Sequence, residues 1–178
     1  REVWRGIAEG LNAVIVNPAV VIGEGNWNEG TCRFFKNCYD GLPAYTNGAT
    51  GFVDVKDVAD AMINLMESEI NNERFILVSE NKSFKDFFFS ICYEMKKTHP
   101  KFEAKPWITG IAWRFFAAKT KLFGGEALVT KETARTSMHQ FFYNNEKIKS
   151  AINFQFIPLN ETIVRTCKQF LADRNHSS

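Results

Sequence analysis

The sequence predicts an α/β layered fold built on a parallel sheet. Helical and extended patterns alternate through the first half of the chain, and RFILVSE (74–80) carries an unbroken apolar run of strand length. Strands covered by helices on both faces read as such runs, whereas strands with one wet face alternate. Beyond Lys105 the pattern turns wholly helical, which predicts a division into an α/β portion (1–104) and a mainly helical portion (105–178).

Each element has its own signal. Val3, Trp4, Ile7 and Leu11 recur at helical spacing, predicting a helix over 2–10 that is already under way at Arg1; with no Met in front of it, the chain is expected to be a fragment. NAVIV predicts a buried strand at 13–17, and NPAVVIGEGNW (17–27) carries it out into a glycine-rich turn. Pro18 lacks an N–H and fixes φ, so it should end ladder pairing and leave backbone groups to meet a ligand. A helix over 29–39 and a short extended piece at 43–46 follow, ahead of NGATG. In GFVDVKDVADAMINLME, Val58, Ala59, Met62, Leu65 and Met66 fall on one helical face, with Asp54 or Asp57 placed to cap the first turn.

Ser83 opens SFKDFFFSICYEMKK, where Phe84, Phe87, Phe88 and Ile91 form a packed face. PWITGIAWRFFAAKTKLFG and TKETARTSMHQF predict two further helices. A last helix starts at Asn160, its N-cap, with a staple from Leu159 to Val164 and with Ile163, Cys167, Phe170 and Leu171 on the buried side. The tail DRNHSS is expected to fray.

Composition excludes several function classes. At 178 residues and 45% hydrophobic content the chain suits one domain, or part of a larger one. Twenty-two Lys and Arg against twenty Asp and Glu leave +2, too balanced for the phosphate neutralisation that nucleic acid requires. The basic stretch KKTHPKFEAK is interrupted by Pro100 and Glu103 and reads as a solvated helix end and loop. Cys32, Cys38, Cys92 and Cys167 are widely spaced, which argues against a metal site or disulfide scaffold and for reduced thiols in the cytoplasm. No apolar run approaches the roughly 18 residues of a membrane span, and no signal peptide opens the chain.

EGLNAVIVNPAVVIGEG (9–25) and GFVDVKDVADAM (51–62), with a helix and a short hairpin between them, resemble the second half of an extended short-chain dehydrogenase/reductase. That family includes NAD-dependent sugar epimerases, dehydratases and dihydroflavonol reductase-like enzymes. The likeness covers nearly the whole chain and is most specific over 9–80. It implies the C-terminal part of a doubly wound, Rossmann-like parallel sheet with a small helical substrate-side domain, the N-terminal phosphate-binding half being absent. Ligands of such sheets lie beyond the carboxyl ends of the strands.

By the same resemblance, Asn17, Pro18, Ala19, Val20 and Val21 lie beside the nicotinamide of NAD or NADP. Asn26, Trp27 and Arg33 border the substrate pocket, although Trp27 could equally anchor its loop by packing. Asp57 is usually a structural cap in this family, and residues 52–55 order the substrate-side loop. The family often has Gly-Pro where this chain has Gly23-Glu24-Gly25. The helical part, with ALVTKETAR and FFYNNEKIKSAINFQFIPLNETI, is most similar to the dihydroflavonol reductase-like branch, with Asn153 where glycine is common.

The family transfers hydride with the help of a Tyr-x-x-x-Lys pair, in which the Lys charge lowers the Tyr pKa. The bare spacing occurs at Tyr93/Lys97 and Tyr143/Lys147, but far after the NPAVV strand, whereas the family's pair precedes it. The glycine-rich pyrophosphate turn is also missing. No catalytic residue and no metal site is therefore expected here, and the chain alone should not catalyse hydride transfer. Parallel strands without neighbours leave open edges, which predicts self-association or association with the missing half, a small-molecule substrate, and no membrane or nucleic-acid partner. Three rival readings stand beside this one: a nucleotide-sugar epimerase or dehydratase, a non-catalytic binding subunit that keeps the fold, and a hydrolase using Ser137 and His139. The last lacks a nucleophile elbow.

Overall fold

A computed structural model describes residues 1–104 and 138–176. The helix expected over 106–124 lies outside the described residues. So does most of the one expected over 130–141, whose last four residues are described and are not helical.

The central path is one long extended segment that changes partner halfway. Its first part, β1 (Val14–Pro18), runs parallel to β5 (Glu73–Leu77), from Val14 beside Glu73 to Pro18 beside Leu77. The ladder ends one residue after Pro18, where the Ala19 N–H donates to the Leu77 carbonyl at 2.9 Å. The chain then continues as β2 (Val20–Ile22), parallel to the end of β4 (Ala49–Asp54), with Ile22 beside Asp54. On its other side β4 pairs antiparallel with β6 (Glu80–Ser83). The apolar run 74–80 is thus two pieces, with Val78 and Ser79 turning from β5 into β6.

β4 is buried along all six residues and divides the core. Phe52 points into a cluster with Ile22, Phe35, Phe87, Ile91 and Ile163. This cluster is covered by α2 (Cys32–Asp40), α4 (Phe84–Glu94) and the last helix, α6 (Leu159–His176). Val53 points the other way, into a cluster with Ala61, Leu65, Phe75, Leu77 and Ile148. Here α3 (Val55–Glu67) and α5 (Glu146–Ile152) provide the cover.

Several sequence expectations hold. Ser83 caps α4, accepting from the Asp86 N–H, and Phe87 and Ile91 are buried on its inner face. Asp54 caps α3, accepting from the Lys56 N–H at 2.9 Å.

Others are corrected. The buried stripe of α3 is Asp57, Ala61 and Leu65, whereas Ala59 and Met62 face solvent and Met66 is 81% exposed. The apolar residues run nearly all round this helix, so period alone could not choose the face. No hairpin joins 43–46 to the next strand; β3 (Ala44–Tyr45) pairs instead with β7 (Phe102–Glu103), in parallel. α6 starts at Leu159 rather than after Asn160, and the Asn160 side chain accepts from Lys82 Nζ. The tail does not fray at Asp173 and Arg174, since the helix continues to His176.

The rotated face of α3 has a direct test. Leu65→Ala should cost about 2–5 kcal/mol, while Met66→Ala should stay within about 0.5 kcal/mol of wild type. Urea denaturation of both variants measures this, and equal losses would restore the face inferred from the sequence.

Candidate functional site

The corner where β1 passes into β2 places residues 17–22 at the carboxyl ends of β1 and β5, which run parallel. Asn17 and Pro18 are exposed, and Ala19, Val20 and Val21 are half-buried. The result is a small apolar surface open to solvent. The Ala19 N–H is engaged by Leu77, so a flat ligand would meet this corner through its side chains.

Packing dictates the loop that follows. A Cβ on Gly23 would lie 2.4 Å from Val55 Cγ1, so no larger residue fits while α3 begins where it does. Thr31 Oγ donates to the Val21 carbonyl at 2.7 Å, and the Cys32 thiol donates to the Gly23 carbonyl at 3.5 Å. These bonds draw the start of α2 back onto the corner.

The three residues expected beside the substrate have different surroundings. Asn26 is exposed, and its side-chain oxygen accepts from the Asn28 N–H. Trp27 is held by α6: its indole N–H donates to Asp173 at 3.0 Å, and its ring meets Phe170 edge-on at 5.1 Å. Arg33, on the first turn of α2, is half-buried and has no ion-pair partner among the described residues.

Beneath the loop lies a charged network that sequence reasoning missed. Asp54 is fully buried. It accepts from Thr162 Oγ at 2.6 Å and from Arg165 Nη2 at 2.9 and 2.7 Å, in addition to the Lys56 N–H. Arg165 Nε donates to Glu24 at 2.8 Å. Burial acts to raise the Glu24 pKa, but the hydrogen bond and charge of Arg165 outweigh it and hold the carboxyl below its usual range. An Arg so far along the chain from both carboxylates leaves no local sequence signature.

Asp57 behaves differently. Its carboxylate accepts from the Ile157 N–H at 3.0 Å, fastening the chain ahead of α6 to α3. Burial, with repulsion from Asp54 and Asp60, pushes its pKa up from 3.8 to about 6.

Also beyond the sequence reading, residues 139–145 lie beside the start of β4, where Gln140 bridges Ala49 in parallel, and then beside β6. The Ala49 N–H donates to the His139 carbonyl, the Phe141 N–H to the Ala49 carbonyl, and Asn81 exchanges two bonds with the Tyr143 backbone. A Cβ on Gly51 would lie 3.0 Å from both Ala19 Cβ and Tyr143 Cδ2, so the tyrosine ring sits beside the corner.

Neither Tyr-x-x-x-Lys spacing forms a pair. Lys97 Nζ lies 3.9 Å over the Tyr39 ring, and Lys147 is taken by Glu73 and the Arg74 carbonyl. Ser137 lies outside the described residues. The four cysteines are free, and burial pushes the Cys167 thiol up to about 12, as befits a packed side chain. Among the described residues, no cluster could hold a metal ion and no helix is long and apolar enough to cross a membrane.

No family model and no curated protein matches the sequence. Solved structures do. The protein gox2253 is 25% identical, with a TM-score of 0.76 over 97% of this chain and 53% of its own. PA4631, a nucleoside-diphosphate-sugar epimerase from Pseudomonas aeruginosa, is 18% identical, with a TM-score of 0.73 over 97% of this chain and 52% of its own. The UDP-glucose 4-epimerase of Thermotoga maritima, solved with UDP-glucose, is 14% identical, with a TM-score of 0.68 over 97% of this chain and 50% of its own. Other matched structures hold NAD or NADPH. This chain therefore has the Rossmann-like fold of the epimerase/dehydratase enzymes, and it spans about half the length of the structures it matches.

Two predictions concern the loop and its support. Gly23→Ala should destabilise the chain by about 1–3 kcal/mol through overpacking, and Gly23→Ala combined with Val55→Ala should recover most of that loss. Thermal melts of the four chains in this cycle decide it; a loss that Val55→Ala does not relieve would place the clash elsewhere.

The raised pKa of Asp57 means that between pH 3.8 and about 6 the folded chain keeps a proton that the unfolded chain releases. Stability from this group thus falls as pH rises through that window, by on the order of 3 kcal/mol, and stays lowered above it. Asp57→Asn retains an oxygen that can accept from Ile157 and removes the titration. Its stability relative to wild type should therefore grow between pH 4 and 6 and then level off. A flat difference across denaturation curves would refute the assignment.

Proposed function

We propose that this chain is the C-terminal part of an NAD(P)-dependent oxidoreductase of the extended short-chain type, acting on a small carbonyl or hydroxyl compound. Residues 1–104 would belong to the dinucleotide-binding domain and residues 105–178 to the substrate side, with the dihydroflavonol reductase-like branch nearest by sequence. The observation that carries this reading is the partner switch at Ala19, which sets an open apolar corner beyond the ends of parallel strands. Its residues fit a flat ring: Pro18, Ala19, Val20 and Val21 are small or medium-sized, apolar and accessible, and Asn17 adds a polar group at the rim. The nicotinamide would supply hydride chemistry. This chain's part is to wall the ring and, through Asn26, Trp27 and Arg33, to border the substrate.

Incompleteness supports the same reading. Among the described residues β1 has no partner on the edge opposite β5, and α1 (Glu2–Ala8) buries none of its residues. Trp4 and Val3 on α1 and Met62 and Met66 on α3 stay exposed. A cleft of about 280 Å³ lies between Val14, Val16, Met62 and Leu65. Such a surface calls for another strand and its helices, whether from an upstream half or from a second copy of the chain. The chain alone would then be inactive.

A nucleotide-sugar epimerase or dehydratase is the second reading, and the neighbours solved or named with nucleotide sugars favour it. One experiment on the natural product weighs both. Its intact mass should be about twice the 20.4 kDa of this chain, and NAD or NADP should raise its Tm. Added protection by UDP- or TDP-sugars would select the second reading. A native product of this chain's own mass that no dinucleotide protects would end the oxidoreductase reading.

A further inference from the structure

The loop at the end of the proposed cofactor wall needs something to hold it, because glycines at 23 and 25 cost more backbone entropy to order than other residues would. Its own backbone contributes little of that restraint. We infer that Arg165 is a positioning residue: its Nη2 grips Asp54 and its Nε holds Glu24, fixing residues 23–27 against the corner. This inference rests on the nicotinamide reading for its purpose, but not for its geometry.

Asp54 is held in place, since it ends β4, caps α3 and is fully buried, accepting four hydrogen bonds from three donors. Arg165 inherits that immobility through two bonds from one nitrogen, at 2.9 and 2.7 Å. Its Nε is then presented to the loop in a set direction and meets Glu24 at 2.8 Å. A planar fork can serve two carboxylates in this way, whereas a lysine ammonium on its flexible stem is a point charge. The Glu24 side chain remains 30% exposed. It is the end of the network that can be removed without stranding a buried charge.

α6 applies a second hold on the same loop, through Trp27 on Asp173 and Phe170. One helix therefore governs the loop from above the core, and its placement relative to the sheet is set by Thr162 and Arg165 on Asp54. The network separates roles along three carboxylates. Asp54 belongs to the core, Glu24 to the loop and Asp173 to the anchor of the tryptophan.

Amide hydrogen exchange on the whole chain tests the clamp. Glu24→Ala should raise exchange over residues 23–28 by about tenfold, the value of one lost charge-assisted bond, with Tm and the exchange of α4 and β5 unchanged. Glu24→Gln, whose oxygen can still accept from Arg165, should recover much of the protection. Arg165→Lys should loosen the same residues as Glu24→Ala. Unchanged loop exchange in Glu24→Ala would overturn the clamp and leave Trp27 and Thr31 as the holding contacts. A rise spread over the whole chain would overturn it too, by making Glu24 a general support of the fold. No dinucleotide enters this measurement, so the clamp can fail while the cofactor reading stands, and the thermal-protection experiment can fail while the clamp stands.

Discussion

A carboxylate with no access to water must be satisfied by its neighbours, and the rest of this molecule is arranged around one such group. Asp54 closes β4, caps α3 through the Lys56 N–H, and receives Thr162 and Arg165 from α6. Three elements that would otherwise share only apolar contacts are thereby set at fixed angles. Removing any donor would leave part of a buried charge uncompensated, a loss of several kcal/mol where a whole partner is removed. The β2–β4 pairing, with Ile22 beside Asp54, carries this constraint into the corner formed by residues 17–22.

The two faces of the sheet are finished to different degrees. On the Phe52 side, aromatic rings interlock: Phe52 stacks on Phe87 at 4.3 Å, while Phe34 and Phe35 meet Phe87 edge-on. Three helices close over them. On the Val53 side, α3 and α5 give the cover, and Met62 and Met66 of α3 stay exposed, while among the described residues β1 has no partner on the edge opposite β5. Apolar residues exposed together at one edge of a sheet form a surface that a further element could cover.

Element order was legible because local chemistry marks it. Unbroken apolar runs announced β1 and β5, and Ser83 and Asp54 announced two helix starts. The corner at Asn17 to Val21 was legible as a place, since Pro18 and the glycines after it interrupt a strand pattern. What escaped depends on distant partners. A two-residue strand such as β3 carries no period of its own, so its pairing with β7 cannot be seen locally. The charged tail looked like a solvated end, yet Asp173 reaches Trp27 and Arg174 lies 4.5 Å over the Tyr39 ring. The face of α3 escaped for another reason: its buried stripe includes Asp57 while its wet side includes Met66. A binary pattern misreads a helix that buries a carboxylate and exposes methionines on the opposite side.

The departure at Gly23-Glu24-Gly25 then has a physical reading. The family that the sequence resembles implies a proline after the first glycine, and a proline would restrict the bend through its own ring. Here the same stretch carries a longer side chain that can reach Arg165, so restraint comes from a tether across the fold. An exposed ion pair ordinarily contributes little, because two flexible side chains must be ordered to form it. In this network one of the two is already ordered by Asp54, so only Glu24 loses freedom. The two devices differ in what can release them. A proline bend ignores salt and pH, whereas a part-exposed Glu24–Arg165 pair weakens as salt rises and as pH falls far enough to protonate Glu24, which leaves this loop more responsive to its surroundings than a proline-locked one would be.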